Sequence, residues 1–287
     1  MVETPDFLKD AVSRRTFLAR MTAAGLGTAA AAVLAGCGGG GNNGNGSNLG
    51  GGNTGPTTTF ADQANFPGIA GQNENVVVLN FALTLEHLEA DLYRQVANIA
   101  TGQNLPFGGK NVYSSPTLAI PTGALTSTQA QAGLAFLTQY AAAEAAHRDF
   151  LLAAIPAVAG GTAVPPNPKG YTTAGMVPSS PTLKDILVFL QQVEEEGVRA
   201  YSGAAGFITN TTLTQAAATI FTTEARHSAG LNYALGRDAG PSQGSSAPTS
   251  PDTMIFPVDG TKVSNNTLEY VKKPTQVLND VKAFFVQ

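Results

Sequence analysis

The chain has 287 residues, of which 43% are hydrophobic and 13% are charged, and its formal net charge is −4. This length leaves room for about one ordinary domain. The acidic balance, without any basic stripe, argues against nucleic-acid binding, and the single cysteine excludes an intrachain disulfide.

Residues 1–36 are predicted to be an export signal. The segment Ser13–Leu18 resembles a twin-arginine signal through Arg14 and Arg15, and an alanine-rich run follows it at residues 21–35. That run is shorter than the ~20 strongly apolar residues that a stable membrane span needs. The resemblance implies export by the twin-arginine translocase, so we expect the protein in the periplasm or the cell envelope.

The alanine-rich run ends in Leu-Ala-Gly-Cys, which resembles a lipobox and places the only cysteine at its last position. The resemblance implies cleavage before Cys37 and a lipid on its thiol, while cleavage with simple release is the alternative. Residues 37–72 are predicted to be a tether, because Gly38–Pro56 consists almost entirely of Gly, Asn, Ser and Thr. The lipid would be the chain's only attachment to a membrane.

Residues 73–238 are predicted to form four helices, because apolar residues recur at three- and four-residue spacing. The first helix is expected from about Glu74 to Ala100, and the second opens near Thr126 or Ser127. These apolar positions are Val78, Ala82, Leu85, Leu88, Leu92 and Val96 in the first helix and Leu134, Leu137, Phe150 and Leu151 in the second.

The third helix is expected to start at Ser180-Pro181, with serine as the cap and proline at the first helical position. Its apolar positions are Leu183, Ile186, Leu190 and Val193. The fourth helix is expected to start near Thr212 and to stop at Gly236. No comparable period-two pattern occurs, so the body is predicted to be all-α.

Two connections between the predicted helices are long. The stretch 156–179 could run the length of the bundle, and such a crossover makes helices two and three parallel, as in a ferritin-like four-helix bundle. The stretch 101–125 is longer than a helical hairpin requires. It is an insertion with its own packing, a lid, or a disordered loop.

Two of the three histidines follow a glutamate by three residues, in the pairs Glu144/His147 and Glu224/His227. On a helix this spacing puts both side chains on one face, one turn apart. A carboxylate and an imidazole so placed can bind one metal ion together.

The other two helices carry a glutamate followed by a tyrosine seven residues later, in the pairs Glu86/Tyr93 and Glu194/Tyr201. Seven residues are close to two helical turns, so each pair shares a face. The tyrosine hydroxyls are predicted to orient ligand carboxylates or to make core contacts nearby.

One glutamate from each of two helices and a Glu-x-x-His from each of the other two form the ligand set of di-iron carboxylate bundles. Four carboxylates and two imidazoles suit iron or manganese, and zinc could also enter. We therefore expect two metal ions, with iron first and manganese as the alternative. The residues of this set are Glu86, Glu144, His147, Glu194, Glu224 and His227.

The segments Leu85–Tyr93, Glu194–Tyr201 and Glu224–His227 are similar to helix signatures of exported bacterial ferritin-like proteins. These proteins belong to the ferritin/rubrerythrin superfamily and are grouped with desiccation-related proteins. The resemblance covers about residues 73–236 and implies the same six metal ligands, but it does not imply one defined activity.

Several neighbouring residues have a less specific interpretation. Glu89 could replace or join Glu86, although the repeated tyrosine spacing favours Glu86. Glu195 and Glu196 are expected to be solvated, and His87 is expected to be a surface or hydrogen-bonded histidine. The remaining expectations are surface ion pairs for Arg148, Arg199 and Arg226 and a core position for Tyr140.

Residues 239–287 are predicted to be a linker followed by a C-terminal extension. The end of the chain carries an amphipathic pattern that should pack on the bundle itself, with a separate partner as the alternative. The apolar residues of this pattern are Val277, Leu278, Val281, Phe284 and Phe285.

Three functional hypotheses follow from the sequence. The first is a di-metal redox protein of the cell envelope, with Glu144 and Glu224 bridging the metals. The second is a non-enzymatic envelope or desiccation-stress protein with structural metal or none. The third, iron storage, fits a tethered chain poorly. The sequence leaves a homo-oligomer open.

Overall fold

The computed structural model describes residues 64–238, 253–254 and 271–287 of the chain. The predicted export signal with Arg14 and Arg15, the lipobox Cys37, the tether as far as residue 63, and most of the predicted linker lie outside the described residues. Within these ranges, the predicted all-α four-helix bundle is confirmed. Its helices are α1 (Glu74–Thr101), α2 (Ser127–Ala154), α3 (Leu183–Ala204) and α4 (Thr211–Ala234).

Short elements complete the described chain. Strand β1 (Thr253–Met254) pairs antiparallel with β2 (Val271–Lys272), and the helix α5 (Pro274–Asp280) follows. Short 3₁₀ turns occur at Ile155–Ala157, Ala205–Phe207 and Val281–Phe284. None of the helices in the described ranges is both long enough and apolar enough to cross a membrane.

Side-chain caps explain where the helices begin. Asn73 accepts a hydrogen bond from the Val76 amide at the start of α1, and Thr126 forms a capping box with Gln129 at the start of α2. Both predicted starts are confirmed. Asn210 caps α4, and Gly236, with a φ of 69°, follows its end as predicted.

The predicted start of α3 at Ser180-Pro181 is wrong. Thr182 is the N-cap, because its side chain accepts from the Asp185 amide while Asp185 Oδ2 accepts from the Thr182 amide at 2.9 Å. The next amide, of Leu183, donates to the Pro121 carbonyl at 2.8 Å. The reciprocal capping box and the hydrogen bond to the preceding loop place the N-cap at Thr182. This is two residues after Ser180, the predicted cap.

Contacts between helices establish the topology. The start of α1 packs on the end of α2 through residues such as Leu79 and Leu151, so these helices are antiparallel. Helices α1 and α3 are also antiparallel, because Tyr201 contacts Glu86 whereas Tyr93 contacts Glu194. It follows that α2 and α3 are parallel, as the predicted crossover requires.

The crossover between α2 and α3 runs along α1 in the direction of that helix. Side chains spaced seven or eight residues apart along α1, starting at its N-cap, bind successive carbonyls of the crossover. These contacts are Asn73 to Ala159, Asn80 to Thr162, His87 to Val164, and Gln95 to Tyr171. Polar side chains thus hold the crossover that the sequence predicted along the length of the bundle.

The loop between α1 and α2 packs against α1. Asn111 is buried and donates to the Ala90 carbonyl at 2.7 Å, and the Tyr113 hydroxyl donates to the Arg94 carbonyl at 3.0 Å. Of the three interpretations of residues 101–125, the structure supports an insertion with its own packing.

The packed chain begins before the predicted boundary at residue 73. Phe66 is fully buried, with its ring centroid 5.4 Å from that of Phe81 and 5.1 Å from that of Phe207. The last nine residues assigned to the tether, 64–72, therefore include part of the core rather than free coil.

The C-terminal segment, residues 271–287, lies on the bundle. Val277 and Val281 are buried in the main hydrophobic core. Lys272 Nζ lies 2.5 Å from Glu196 Oε2 and 2.7 Å from Asp280 Oδ2, so it joins α3 to α5. A glycine at position 203 permits this docking, because a Cβ there would stand 1.7 Å from the Lys272 carbonyl oxygen.

Candidate metal centre

Two overlapping groups of carboxylates and imidazoles lie near the midpoints of the four long helices. Within each group, one possible ligand atom from every residue lies within 4.8 Å of the others. The groups are Glu86, Glu144, His147 and Glu224, and Glu144, Glu194, Glu224 and His227. The structure thus brings together all six side chains that the sequence predicted as ligands, and two glutamates belong to both groups.

The imidazole of His147 points its Nδ1 into the first group. This nitrogen lies 3.0 Å from Glu224 Oε1, 3.2 Å from Glu144 Oε2 and 3.6 Å from Glu86 Oε2. Since α2 supplies both Glu144 and His147 one turn apart, the carboxylates of α1 and α4 complete the group from facing helices.

His227 has the corresponding place in the second group. Its Nδ1 lies 2.8 Å from Glu144 Oε1 and 3.5 Å from Glu194 Oε2. The ring of Tyr140 stacks on this imidazole, with centroids 3.9 Å apart. The sequence placed Tyr140 in the core, four residues before Glu144, but it did not indicate this contact.

The two predicted tyrosines orient carboxylates across the bundle. Tyr201 donates to Glu86 Oε1 at 2.6 Å, and Tyr93 donates to Glu194 Oε1. Each tyrosine therefore donates a hydrogen bond to the glutamate of the opposite helix rather than to the glutamate seven residues before it on its own helix. Both tyrosines and both glutamates are buried.

The charges in this centre act strongly on one another. Burial and the neighbouring carboxylates of Glu144 and Glu194 raise the pKa of Glu224 well above its ordinary value. Burial would also raise the pKa of Glu144, but His147 and His227 outweigh it and lower that pKa to about 2. The nearby carboxylates, Glu144 foremost, raise the pKa of His147 despite its burial.

The residues fit a pair of cations. In the described part of the chain, Glu224 Oε2 is buried and accepts no hydrogen bond. Burying a carboxylate oxygen without a partner is costly. Two divalent cations would supply partners for such oxygens and offset up to four carboxylate charges, and the oxygen and imidazole donors suit iron or manganese.

Glu89 stands beside the two groups and belongs to neither. It is buried and lies one turn after Glu86 on α1. Its pKa is raised mainly by burial and also by the neighbouring Glu224 carboxylate. The corresponding position on α3, three residues after Glu194, is Gly197. A Cβ at Gly197 would lie 3.1 Å from Glu89 Oε1 and 3.2 Å from Glu224 Oε2, so Glu89 occupies space that the glycine leaves.

The prediction that Glu195 and Glu196 are solvated is wrong. Glu195 is buried and accepts from the Ser228 hydroxyl at 2.5 Å. Glu196 is largely buried and pairs with Lys272. Helix α3 packs against α4 on one side and against the C-terminal segment on another. The residue spacing within α3 alone could not predict either contact.

His87 and the arginines lie outside both groups. His87 is buried, with Nε2 3.3 Å from the Val164 carbonyl oxygen, in keeping with the hydrogen-bonded alternative. Arg148 pairs with Asp149 at 2.7 Å, but it is buried rather than on the surface, because it also donates to the Gly109 carbonyl. Arg199 lies 3.4 Å from Glu195.

Residues 74–237 match the family model described as a ferritin-like domain. This match spans more than half of the chain and contains every member of the two groups. Among curated proteins, none matches the chain closely enough to show a relationship.

Proposed function

The chain belongs to the ferritin-like domain family, and from that premise we propose that it is an exported redox protein that holds two metal ions. Iron is the first choice and manganese the alternative. The observation that supports this proposal is the pair of overlapping groups that share Glu144 and Glu224, since shared carboxylates are what two adjacent cations require.

Each group would hold one ion. Glu86 and His147 would complete the first site, Glu194 and His227 would complete the second, and the two shared glutamates would bridge them. Bound iron would supply electron transfer to oxygen or peroxide. The donors stand on four packed helices, and donors held by rigid elements need little reorganisation on binding.

The surrounding residues hold the donors in place and control protons. Tyr201 and Tyr93 keep one oxygen each of Glu86 and Glu194 fixed, so the other oxygen faces the group. Glu89, whose raised pKa favours its protonated form, can hold a proton beside Glu224. Burial of the carboxylates excludes water from the centre.

Reaction with an oxidant tests the proposed redox role. We would load the purified protein with Fe²⁺ without oxygen and follow absorbance after mixing with oxygen or peroxide. The wild type should be oxidised at least tenfold faster than the Glu144→Ala/His147→Ala variant. His87→Ala is the matched control, because it removes a buried imidazole outside both groups, and it should react like the wild type.

Equal rates for all three proteins would contradict the redox role. Metal that binds in stoichiometric amounts without reacting would instead favour a non-enzymatic envelope protein with structural metal. Iron far above two ions per chain would favour storage.

The export part of the proposal rests on the sequence pattern alone. We expect Arg14→Lys/Arg15→Lys to retain the protein inside the cell, because it keeps the charge but removes the twin arginines. We expect Cys37→Ser to abolish incorporation of labelled lipid. Fractionation and lipid labelling check both outcomes, and unchanged fractionation or lipid labelling would contradict this part of the proposal.

A further inference from the structure

A cavity of about 160 Å³ lies between α1, α3, the crossover and the C-terminal segment. Most of the side chains around this apolar cavity are aliphatic or aromatic, and they come from all of these parts of the fold. The main ones are Leu85, Leu88, Leu92, Phe189, Val281 and Phe284.

The inner end of the apolar cavity reaches the candidate metal centre. Glu89 and Gly197 both line it. The same Gly197 lies against Glu224, because a Cβ there would stand 3.2 Å from Glu224 Oε2. The Gly197 backbone and the Glu89 carboxyl thus lie against both the cavity and a shared glutamate.

Among the residues that the structure describes, the outer end of the apolar cavity is polar and open to solvent. Glu196 and Asp280 line it, and Lys272 bridges these two carboxylates. Met176, from the crossover, also lines the cavity and is 45% exposed. A molecule can thus enter from solvent past a polar rim and come to rest among apolar side chains.

Size and lining together limit what can bind. An enclosed cavity of roughly 150 Å³ lined by Leu, Ile and Phe accepts benzene. The apolar cavity has a similar volume, although it opens to solvent at one end. Here, Glu89 adds one buried carboxyl whose Oε2 accepts no hydrogen bond from the described residues. Such a site fits a ring of six carbons, with or without one hydroxyl.

We propose that the apolar cavity binds a small aromatic molecule of the size of benzene or phenol, with any hydroxyl directed at Glu89. The C-terminal segment that supplies Val281 and Phe284 lies outside residues 74–237, which match the family, so this chain builds the site with its own extension. The role of the molecule as substrate rests on the metal chemistry proposed above, whereas its binding does not.

Fluorescence can locate the binding, because the chain contains no tryptophan. We would place a single reporter in the cavity with Phe189→Trp and a matched one on the surface with Phe107→Trp, whose native ring is 47% exposed. Bromobenzene, a heavy-atom quencher, should quench the first reporter saturably and the second only in linear proportion to its concentration. Benzene should compete with the saturable part.

Filling the cavity should abolish the binding. Val281→Phe in the Phe189→Trp background should weaken it at least tenfold, while Val112→Phe, at a position that is 63% exposed, should leave it unchanged. Xenon bound between Leu88 and Phe284 in crystals of the wild type would show, without any substitution, that the cavity takes up an apolar ligand. Linear quenching of both reporters, or xenon absent from this place, would overturn the proposal.

Metal content measured on the same preparations separates the two proposals. Two metal ions per chain without saturable quenching would overturn the apolar-cavity proposal and leave the proposed function standing. Saturable quenching without bound metal would overturn the proposed function, and with it the role of the aromatic molecule as a substrate.

Discussion

The Tyr201 hydroxyl donates to Glu86 Oε1 at 2.6 Å, and this contact joins α3 to the middle of α1 across the bundle. Its counterpart joins Tyr93 to Glu194 in the opposite order. Because the residue numbers rise on one helix as they fall on the other, the pair defines an antiparallel register. One register thus gives a hydrogen-bond donor to each of two buried carboxylates.

Tyr201→Phe tests what this hydrogen bond contributes. The substitution removes the donor to a buried carboxyl, so we expect a loss of about 1–3 kcal/mol in the free energy of unfolding. Metal affinity should fall by roughly 10–100-fold with the number of sites unchanged. Urea unfolding and chelator competition measure the two effects. Tyr233→Phe, at a position that is 63% exposed, is the control, and equal behaviour of both variants would contradict the assignment.

Gly203→Ala tests how the C-terminal segment docks on α3. The added Cβ would stand 1.7 Å from the Lys272 carbonyl oxygen, so β2 must move away. We expect a loss of about 1–3 kcal/mol in stability and faster tryptic cleavage after Lys272. Gly206→Ala, where no atom lies within 4 Å of the new Cβ, should be neutral or slightly stabilising. Similar cleavage of both variants would argue against the observed docking.

Thr182→Ala tests the corrected start of α3. This side chain caps the helix, so its loss should cost about 1 kcal/mol. Ser180→Ala, at the start that the sequence indicated, should change stability by less than about 0.5 kcal/mol. Thermal or urea unfolding distinguishes the two. A larger cost at Ser180 would restore the original assignment.

The helix bodies could be predicted because each one repeats a buried apolar face, and Val78, Leu85 and Leu92 are all buried as expected. Four of the six ligand candidates could also be predicted, since Glu-x-x-His puts two donors on one face of a helix, and Glu86 and Glu194 could be predicted from their repeated tyrosine spacing. The long crossover could be inferred from length and composition alone.

The remaining features depend on contacts between segments distant in sequence. The spacing of Glu86 and Tyr93 showed a shared face, but the partner of each tyrosine depends on the register between α1 and α3. Glu195 is buried because Ser228 faces it from α4. Phe66 is buried because Phe207 lies over it. Local periodicity carries no information about any of these pairs.

The metal-free protein should lose stability as pH rises from 6 to 8. Burial and nearby carboxylates raise the pKa of Glu224, and nearby carboxylates raise the pKa of His147, so the folded chain keeps protons that the unfolded chain has released in this range. A folded state that binds more protons is destabilised as pH rises, by about 1.4 kcal/mol per pH unit for each proton.

Melting of the protein in excess chelator at pH 6 and pH 8 measures this dependence. Glu224→Gln removes one titrating group and should reduce the difference, while bound metal should abolish or reverse it, because metal replaces the protons. A metal-free wild type that is more stable at pH 8 than at pH 6 would show that these groups are not protonated in the folded chain.

The most direct test of the whole account is the metal content of the protein purified from its exported form. We expect about two iron or manganese ions per wild-type chain, from the two groups that share Glu144 and Glu224. The Glu144→Ala/His147→Ala variant should lose them, and His87→Ala should keep them. A wild type without bound metal, with the double variant equally well folded, would contradict the central claim and leave a bundle that has kept the fold without the chemistry.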